Sequence, residues 1–185
     1  MAKPYLVMKN LNIMERKKGW HVLYVQYRHE SKIYSEFMEK NLEAFLPMTT
    51  TIRKWSDRTK KIQTPLFPSY VFVNIKSNKD FHDVLTVDSA CSFVRFGKEY
   101  GRVSQKEISQ IKLLVEGKDV TDIQINRELP KIGDKLKINY GQLCGLECEV
   151  FRIDNQHKIS VRLNSLRQNI LATIPLSYFP KTLQA

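Results

Sequence analysis

The run PLFPSYVFVNI at residues 65–75 constrains this chain more than any other stretch. Its second half, Tyr70–Ile75, is aromatic or β-branched at every position but Asn74, and such residues fit a pleated, half-buried surface and predict a strand. Pro65 and Pro68 cannot donate to a ladder, so the first half is confined to a sheet edge or an extended approach. The neighbouring segments supply partners. WHVLYVQY (Trp20–Tyr27) predicts a second strand. Residues 29–42 place Ile33, Phe37, Met38 and Leu42 at helical spacing, with glutamates on the wet side. Phe45 and Leu46 predict a short strand ending near Pro47. Residues 80–87 predict a short helix, and Ser92–Phe96 a strand. Ser104 followed by Glu107 is a capping box ahead of Ile108, Ile111, Leu114 and Val115, with Gly117 as the stop. Residues 20–117 therefore read as an α+β sandwich, with helices packed on a mainly antiparallel sheet.

The style changes after Gly117. KDVTDIQINREL (118–129) is polar and lacks helical spacing, which predicts a linker. From Pro130 to Ala185, the turns Gly133-Asp134, Tyr140-Gly141 and Asp154-Asn155 separate KLKI, LECEVFRI, KISVRL and ILATIP. Short strands at regular spacing predict a small β-barrel of modest stability. Residues 1–19 read as a flexible basic lead-in. With 185 residues, 42% of them hydrophobic, the chain has room for two small packed domains.

The net charge of +11 points to a polyanion, and its distribution sharpens the point. The segment Thr49–Thr64 is poor in apolar residues and carries Arg53, Lys54, Arg58, Lys60 and Lys61 against Asp57 alone. Ser56-Asp57 is a turn signal between these flanks, so the segment predicts a β-hairpin or arm. Each basic side chain can neutralise a phosphate, and Trp55 can stack on an unpaired base. The same charges would also suit a solvated hairpin, with Trp55 pinning it to the body.

Two segments carry a family resemblance. PLFPSYVFV (65–73), preceded by RKWSDR (53–58) and followed by FVRFG (93–97), resembles the N-terminal domain of the NusG transcription factors, and within them the specialised branch typified by RfaH and the capsule-operon UpxY antiterminators. GDKLKINYGQLCGLECEV (133–150) resembles the KOW motif of their C-terminal barrel. The family usually has a glycine where Cys148 stands, and a side chain there predicts regular strand. In RfaH the C-terminal domain can switch between a helical hairpin and a barrel. Here Gly133, Gly141, Gly145 and Pro175 make the barrel the better local fit.

The resemblance implies that an apolar face of the N-terminal domain docks on the clamp helices of the β′ subunit of bacterial RNA polymerase, that an opposite edge reaches the β subunit, and that the C-terminal barrel recruits the ribosome or the termination factor Rho. The residues offered for the docking face are Tyr24, Phe67, Tyr70 and Phe72. Aromatics suit such a face, though strand aromatics equally fill a core, and for Phe72 both readings stay open. Related specialised factors carry a His-Thr-Thr stretch that reaches the β subunit. Its place here is His82-Asp83-Val84, which keeps the histidine and lacks both threonines. The basic arm would lie near the non-template strand and upstream duplex.

The remaining constellations exclude more than they offer. Cys144, Cys148 and His157 lack a fourth ligand and fall short of structural zinc. No phosphate-binding glycine loop and no nucleophile–base arrangement has local support, so neither an enzyme nor a cofactor is expected. Three cysteines, an odd and low count, fit a reducing compartment. Without a signal peptide or an apolar span, the expectation is a cytoplasmic monomer with no membrane contact. The alternatives are a general elongation factor of the same family, or a ribosome-associated RNA-binding protein, since KOW barrels also occur there.

Overall fold

The computed structural model describes residues 18–54, 58–126, 134–138, 141–153, 156–175 and 178. Most of the expected lead-in, the arm's turn with Trp55, and the turns at 133, 140 and 154–155 lie outside these. The described residues within Met1–Leu46 and Phe67–Ser104 form one compact unit, and those within Pro47–Leu66 and Gln105–Ala185 another.

In the first unit, β1 (Gly19–Val25) lies between β5 (Tyr70–Ile75) and β6 (Ala90–Phe93), with β2 (Glu43–Phe45) on the far side of β5 and β9 (Arg102–Val103) also pairing with β1. All these pairings are antiparallel, and Val22 faces Phe72 while Tyr24 faces Tyr70. One core cluster joins Leu23, Val25, Val71, Val73 and Ile75 from the strands to Ile33 and Phe37 of α1 (Glu30–Glu39) and to Phe81 and Val84 of α2 (Asn78–Leu85). Burying each of these large side chains stabilises by roughly 1.5–3 kcal/mol relative to exposure.

Helix α1 stops short of the expected Leu42. Asn41 takes a left-handed conformation (φ 56), its N–H donates to the Met38 carbonyl, and the Leu42 N–H donates to the Phe37 carbonyl at 2.9 Å. Asparagine tolerates this geometry, and Leu42 becomes the apolar residue that closes the cap against the core. Helix α2 begins earlier than expected because Ser77 and Asp80 form a capping box.

His21 is fully buried on the helix-facing side of β1. Its Nδ1 lies 2.8 Å from the Gly19 carbonyl, Nε2 has no hydrogen-bond partner among the described residues, and the ring meets Phe93 and Tyr100 edge-on. Burial lowers its pKa below 6.5, the Gly19 hydrogen bond works against this, and the charge of Arg102 adds to the lowering. The unfolded chain thus binds the proton more tightly than the folded one. The stability conferred by neutral His21 is complete above the unfolded pKa of about 6.5 and declines as pH falls below it. Thermal melts between about pH 5.5 and 7.5 are expected to show falling stability on the acid side, with the slope flattened in His21→Phe.

The second unit holds α3 (Gln105–Glu116) and a five-stranded antiparallel sheet. The sheet runs β10 (Thr121–Asn126), β14 (Gln168–Thr173), β13 (Gln156–Leu163), β12 (Glu147–Ile153), β11 (Asp134–Lys137). Its end strands, β10 and β11, are not paired with each other among the described residues. Thr121–Asn126 departs from the linker reading. Ile123 and Ile125 alternate on a short polar strand that pairs with β14. Glu107, expected in a capping box, reaches across to Ser165, accepting from its N–H at 3.1 Å and its hydroxyl at 3.0 Å.

Gly141 lies at φ +71, and a Cβ there would stand 2.6 Å from Cε1 of Tyr178, so only glycine allows the approach. Tyr178 in turn donates to Asp119 at 3.2 Å. Cys148 sits within β12 opposite Leu136, as regular strand. Burial pushes its thiol up to about 12.

The arm is an antiparallel hairpin of β3 (Met48–Lys54) and β4 (Thr59–Pro65), forming a separate two-stranded sheet. Another small hairpin joins β7 (Arg95–Phe96) to β8 (Glu99–Tyr100) in the first unit.

Candidate functional site

The turn ahead of β5 sets the candidate surface. The Tyr70 N–H donates to the Phe67 carbonyl at 3.2 Å, Pro68 occupies the second turn position and Ser69 the third, with φ 65. A positive φ at that position suits glycine, and serine there carries strain. Two contacts hold it. The Ser69 N–H donates to Oε1 of Glu30 at 2.8 Å, and the Ser69 carbonyl accepts from Val25 at 2.9 Å. Glu30 is itself buried at the start of α1. The turn folds Phe67 back onto Phe72, ring centroids 5.5 Å apart and edge to face, and releases Tyr70 toward the surface.

The four expected docking aromatics therefore divide. Tyr24 is 45% exposed and Tyr70 partly so, and their rings meet edge to face at 5.9 Å. Phe72 is 0% exposed and Phe67 2% exposed, so both lie beneath the surface as its support. The strand pattern places Tyr70 and Phe72 on one face, but only the tyrosine reaches the rim.

Tyr24 and Tyr70 form one wall of an open pocket of about 440 Å³. Helix α2 contributes Phe81 and the 41% exposed Leu85 to it. The segment from β6 to β8 contributes Cys91, Phe93, Arg95 and Tyr100. Phe81 stacks on Phe93 at 4.5 Å, and Tyr100 meets both rings edge-on, so the floor is a fixed aromatic cluster. None of these residues stood out from the sequence beyond the presence of Phe93 and Arg95 in FVRFG. The available signal was the helical spacing of Phe81 and Leu85, which share a face.

His82, Asp83 and Val84 are not brought to one surface. Helical periodicity turns Phe81 and Val84 inward, and Val84 is fully buried in the core. His82 is exposed and Asp83 half-buried. A contact made by all three side chains is incompatible with this arrangement; His82 is the one fully presented.

In the arm, the register sets Arg53 opposite Lys60 and Ile52 opposite Lys61. Arg58, Lys60 and Lys61 are exposed. The side chains of Arg53 and Lys54, and the whole of Trp55, lie outside the described residues. Basic residues directly across a ladder repel one another, a cost that a bound polyanion removes. Cross-strand bonds near the base, Thr51 to Thr64 at 3.1 Å and Gln63 to Thr50 at 3.0 Å, fix the register.

An antiparallel sheet backed by helices, with an aromatic pocket at its rim, and a second β-rich unit define a mixed α/β protein. The family model for "Transcription termination factor nusG" matches residues 18–112, just over half the chain, and the chain belongs to the NusG family of non-enzymatic transcription factors. Among solved structures, "Domain interaction in Thermotoga maritima NusG" is 23% identical, covering 88% of this chain and 96% of that one at a TM-score of 0.49. Two structures of an MjSpt4:Spt5 complex, conformations A and B, are 16% and 17% identical. They cover 86% of this chain and 94% and 93% of theirs, at TM-scores of 0.30 and 0.31. No described helix is long and apolar enough to cross a membrane.

Proposed function

We propose that this chain is a transcription elongation factor that docks on the β′ clamp helices of bacterial RNA polymerase through the pocket walled by Tyr24 and Tyr70, and that it suppresses pausing or termination at particular operons, such as those for surface polysaccharides. The observation that carries the docking reading is the pocket: a preformed aromatic concavity on a chain whose family acts on polymerase. Rigid aromatics lose little entropy on docking and supply large contact area, which suits a small, specific protein interface. On this reading residues 20–117 form the polymerase-binding domain, 118–129 join it to 130–185, and His82 offers the second contact, with the β subunit. The C-terminal sheet is a KOW barrel, supported by its antiparallel strand order and by the Gly141 turn against Tyr178. Its partner is the ribosome or Rho.

The arm is the nucleic-acid contact, to non-template or upstream DNA, through Arg53, Lys54, Trp55, Arg58, Lys60 and Lys61. Reversing Lys60 and Lys61 to glutamate is expected to lower DNA affinity of the elongation complex. It should also flatten the salt dependence by roughly 0.7–0.9 in logarithmic slope for each phosphate that is no longer neutralised. An unchanged slope in a filter-binding titration would remove the arm from the DNA.

The functional test is single-round transcription with bacterial polymerase on an unrelated gene and on the leader beside this protein's own gene. Shortened pauses on its own leader alone support the specialised reading. Equal shortening on both templates identifies a general factor. No change on either, with polymerase unbound, overturns the proposal.

A further inference from the structure

Arg95 is the one charged residue among the described ones that line the pocket, whose other walls are aromatic and aliphatic side chains with Ser92, Cys91 and the tyrosine hydroxyls. Arg95 is exposed at its edge, at the start of β7, directly across the ladder from Tyr100. Its guanidinium lies 4.6 Å from the centroid of the Tyr100 ring, and its Nη2 donates to the Tyr100 hydroxyl at 2.9 Å. Tyr100 is anchored in turn by the Phe81–Phe93 stack on the pocket floor. A long, flexible side chain is thereby held in one orientation by a ring that is itself fixed. No aspartate or glutamate lines the pocket, and among the described residues no carboxylate lies within ion-pair distance of Arg95. The site thus presents an aromatic floor, a tyrosine wall and an oriented planar fork with donors to spare.

We infer that Arg95 selects the occupant of this pocket by pairing with a carboxylate on the docking segment, so that the partner is an apolar protein surface carrying an aspartate or glutamate at its margin. The inference rests on the docking reading above and commits to the same occupant, the polymerase clamp helices. Phe81 and Phe93 on the floor are stacked on each other and only 6% and 4% exposed, so they offer no open ring face for a base to stack on, which disfavours a nucleic acid as the occupant. Arginine fits a carboxylate because its fork matches the two oxygens, and a planar guanidinium loses less freedom on pairing when it is already stacked. Charge pairs at an interface margin set specificity and association rate, so the effect is expected to depend on salt.

The test measures affinity of the full chain for core polymerase at low and moderate salt. Arg95→Gln is expected to weaken binding roughly tenfold and to reduce its salt dependence, and Arg95→Glu to weaken it about 100-fold. Arg95→Lys, which keeps the charge without the fork, should fall between wild type and Arg95→Gln. A panel of polymerases, each with one clamp-helix carboxylate changed to lysine, should contain one member that restores binding of Arg95→Glu at least about tenfold. Thermal melts of each variant establish that the fold is kept, and Tyr100→Phe, which keeps the ring and loses the hydroxyl, reports the cost of disturbing the anchor alone.

If Arg95→Glu binds within about twofold of wild type while Tyr24→Ala with Tyr70→Ala abolishes binding, the docking reading stands and the role of Arg95 is overturned. If neither set of changes affects binding, the docking reading itself fails, and this inference with it. Weakening by Arg95→Glu that no clamp-helix reversal restores also overturns the inference, because the carboxylate partner is then absent from the clamp helices.

Discussion

Replacing Phe72 by alanine is expected to destabilise the chain by about 3–5 kcal/mol, much of what a small domain has. Phe72 is fully buried in β5, between Val22 of β1 on one side and Phe45 of β2 on the other. Its ring meets those of Phe67 at 5.5 Å and Phe45 at 6.1 Å. Truncation strips both neighbouring rings of their packing at once, and the paired strands on either side limit collapse into the space. Phe72→Leu keeps more of the volume and should be milder. Urea unfolding followed by far-UV circular dichroism checks the difference. A loss below about 1 kcal/mol would mean that the site repacks, contrary to its position between two paired strands. Because Phe67 and the turn to Tyr70 rest on this ring, the variant should also bind polymerase poorly at temperatures where much of it is still folded.

Tyr24→Ala with Tyr70→Ala is expected to have the opposite profile, losing polymerase while keeping the fold. Tyr24 is 45% exposed and Tyr70 partly so, and their rings meet each other edge to face at the rim of the sheet. Removing exposed aromatics seldom costs a domain much stability. Truncating interface anchors typically costs about 2 kcal/mol or more each, near 30-fold in affinity per residue. Titration of core polymerase by fluorescence anisotropy gives the affinity, and a thermal melt the stability. Binding retained at full strength would place the docking surface elsewhere. Binding lost together with the melt would make the tyrosines structural.

The contrast between these two changes shows what the sequence made legible. Tyr70 and Phe72 differ by two residues in a strand, and alternation correctly puts them on one face. Alternation does not say where along that face the cover ends. That boundary is set by the Pro68-Ser69 turn, which lays Phe67 over Phe72, and by buried Glu30, which holds Ser69 from a distant helix. The contact from Glu30 spans 39 residues of sequence, and the turn that lays Phe67 over Phe72 depends on it. The placement of Val84 was within reach, since Phe81 and Val84 at helical spacing point inward together and leave His82 outside.

The strands at Trp20 and Tyr70 followed from their runs of aromatic and β-branched residues, and the helix carrying Ile33 and Phe37 from its spacing. Thr121–Asn126 looked like a linker because its polar residues outnumber its two isoleucines, and only pairing with β14 makes it a strand. Asn41 ended α1 by a cap that its residue type permits but does not demand. Arg95 was invisible as a site residue, because its orientation comes from a ring across a two-residue ladder.

If polymerase docks at the pocket, Cys91 lies against it in the complex. This cysteine is exposed and lines the pocket, while Cys144 is exposed in the other unit and Cys148 is buried with its thiol pushed up to about 12. In a Cys144→Ser background, a photo-crosslinker attached to Cys91 reports what lies against the pocket in the complex. The account predicts crosslinks to the β′ clamp helices, mapped by mass spectrometry and competed away by unlabelled protein. A complex that forms with full affinity while the Cys91 probe crosslinks to no polymerase subunit would contradict it.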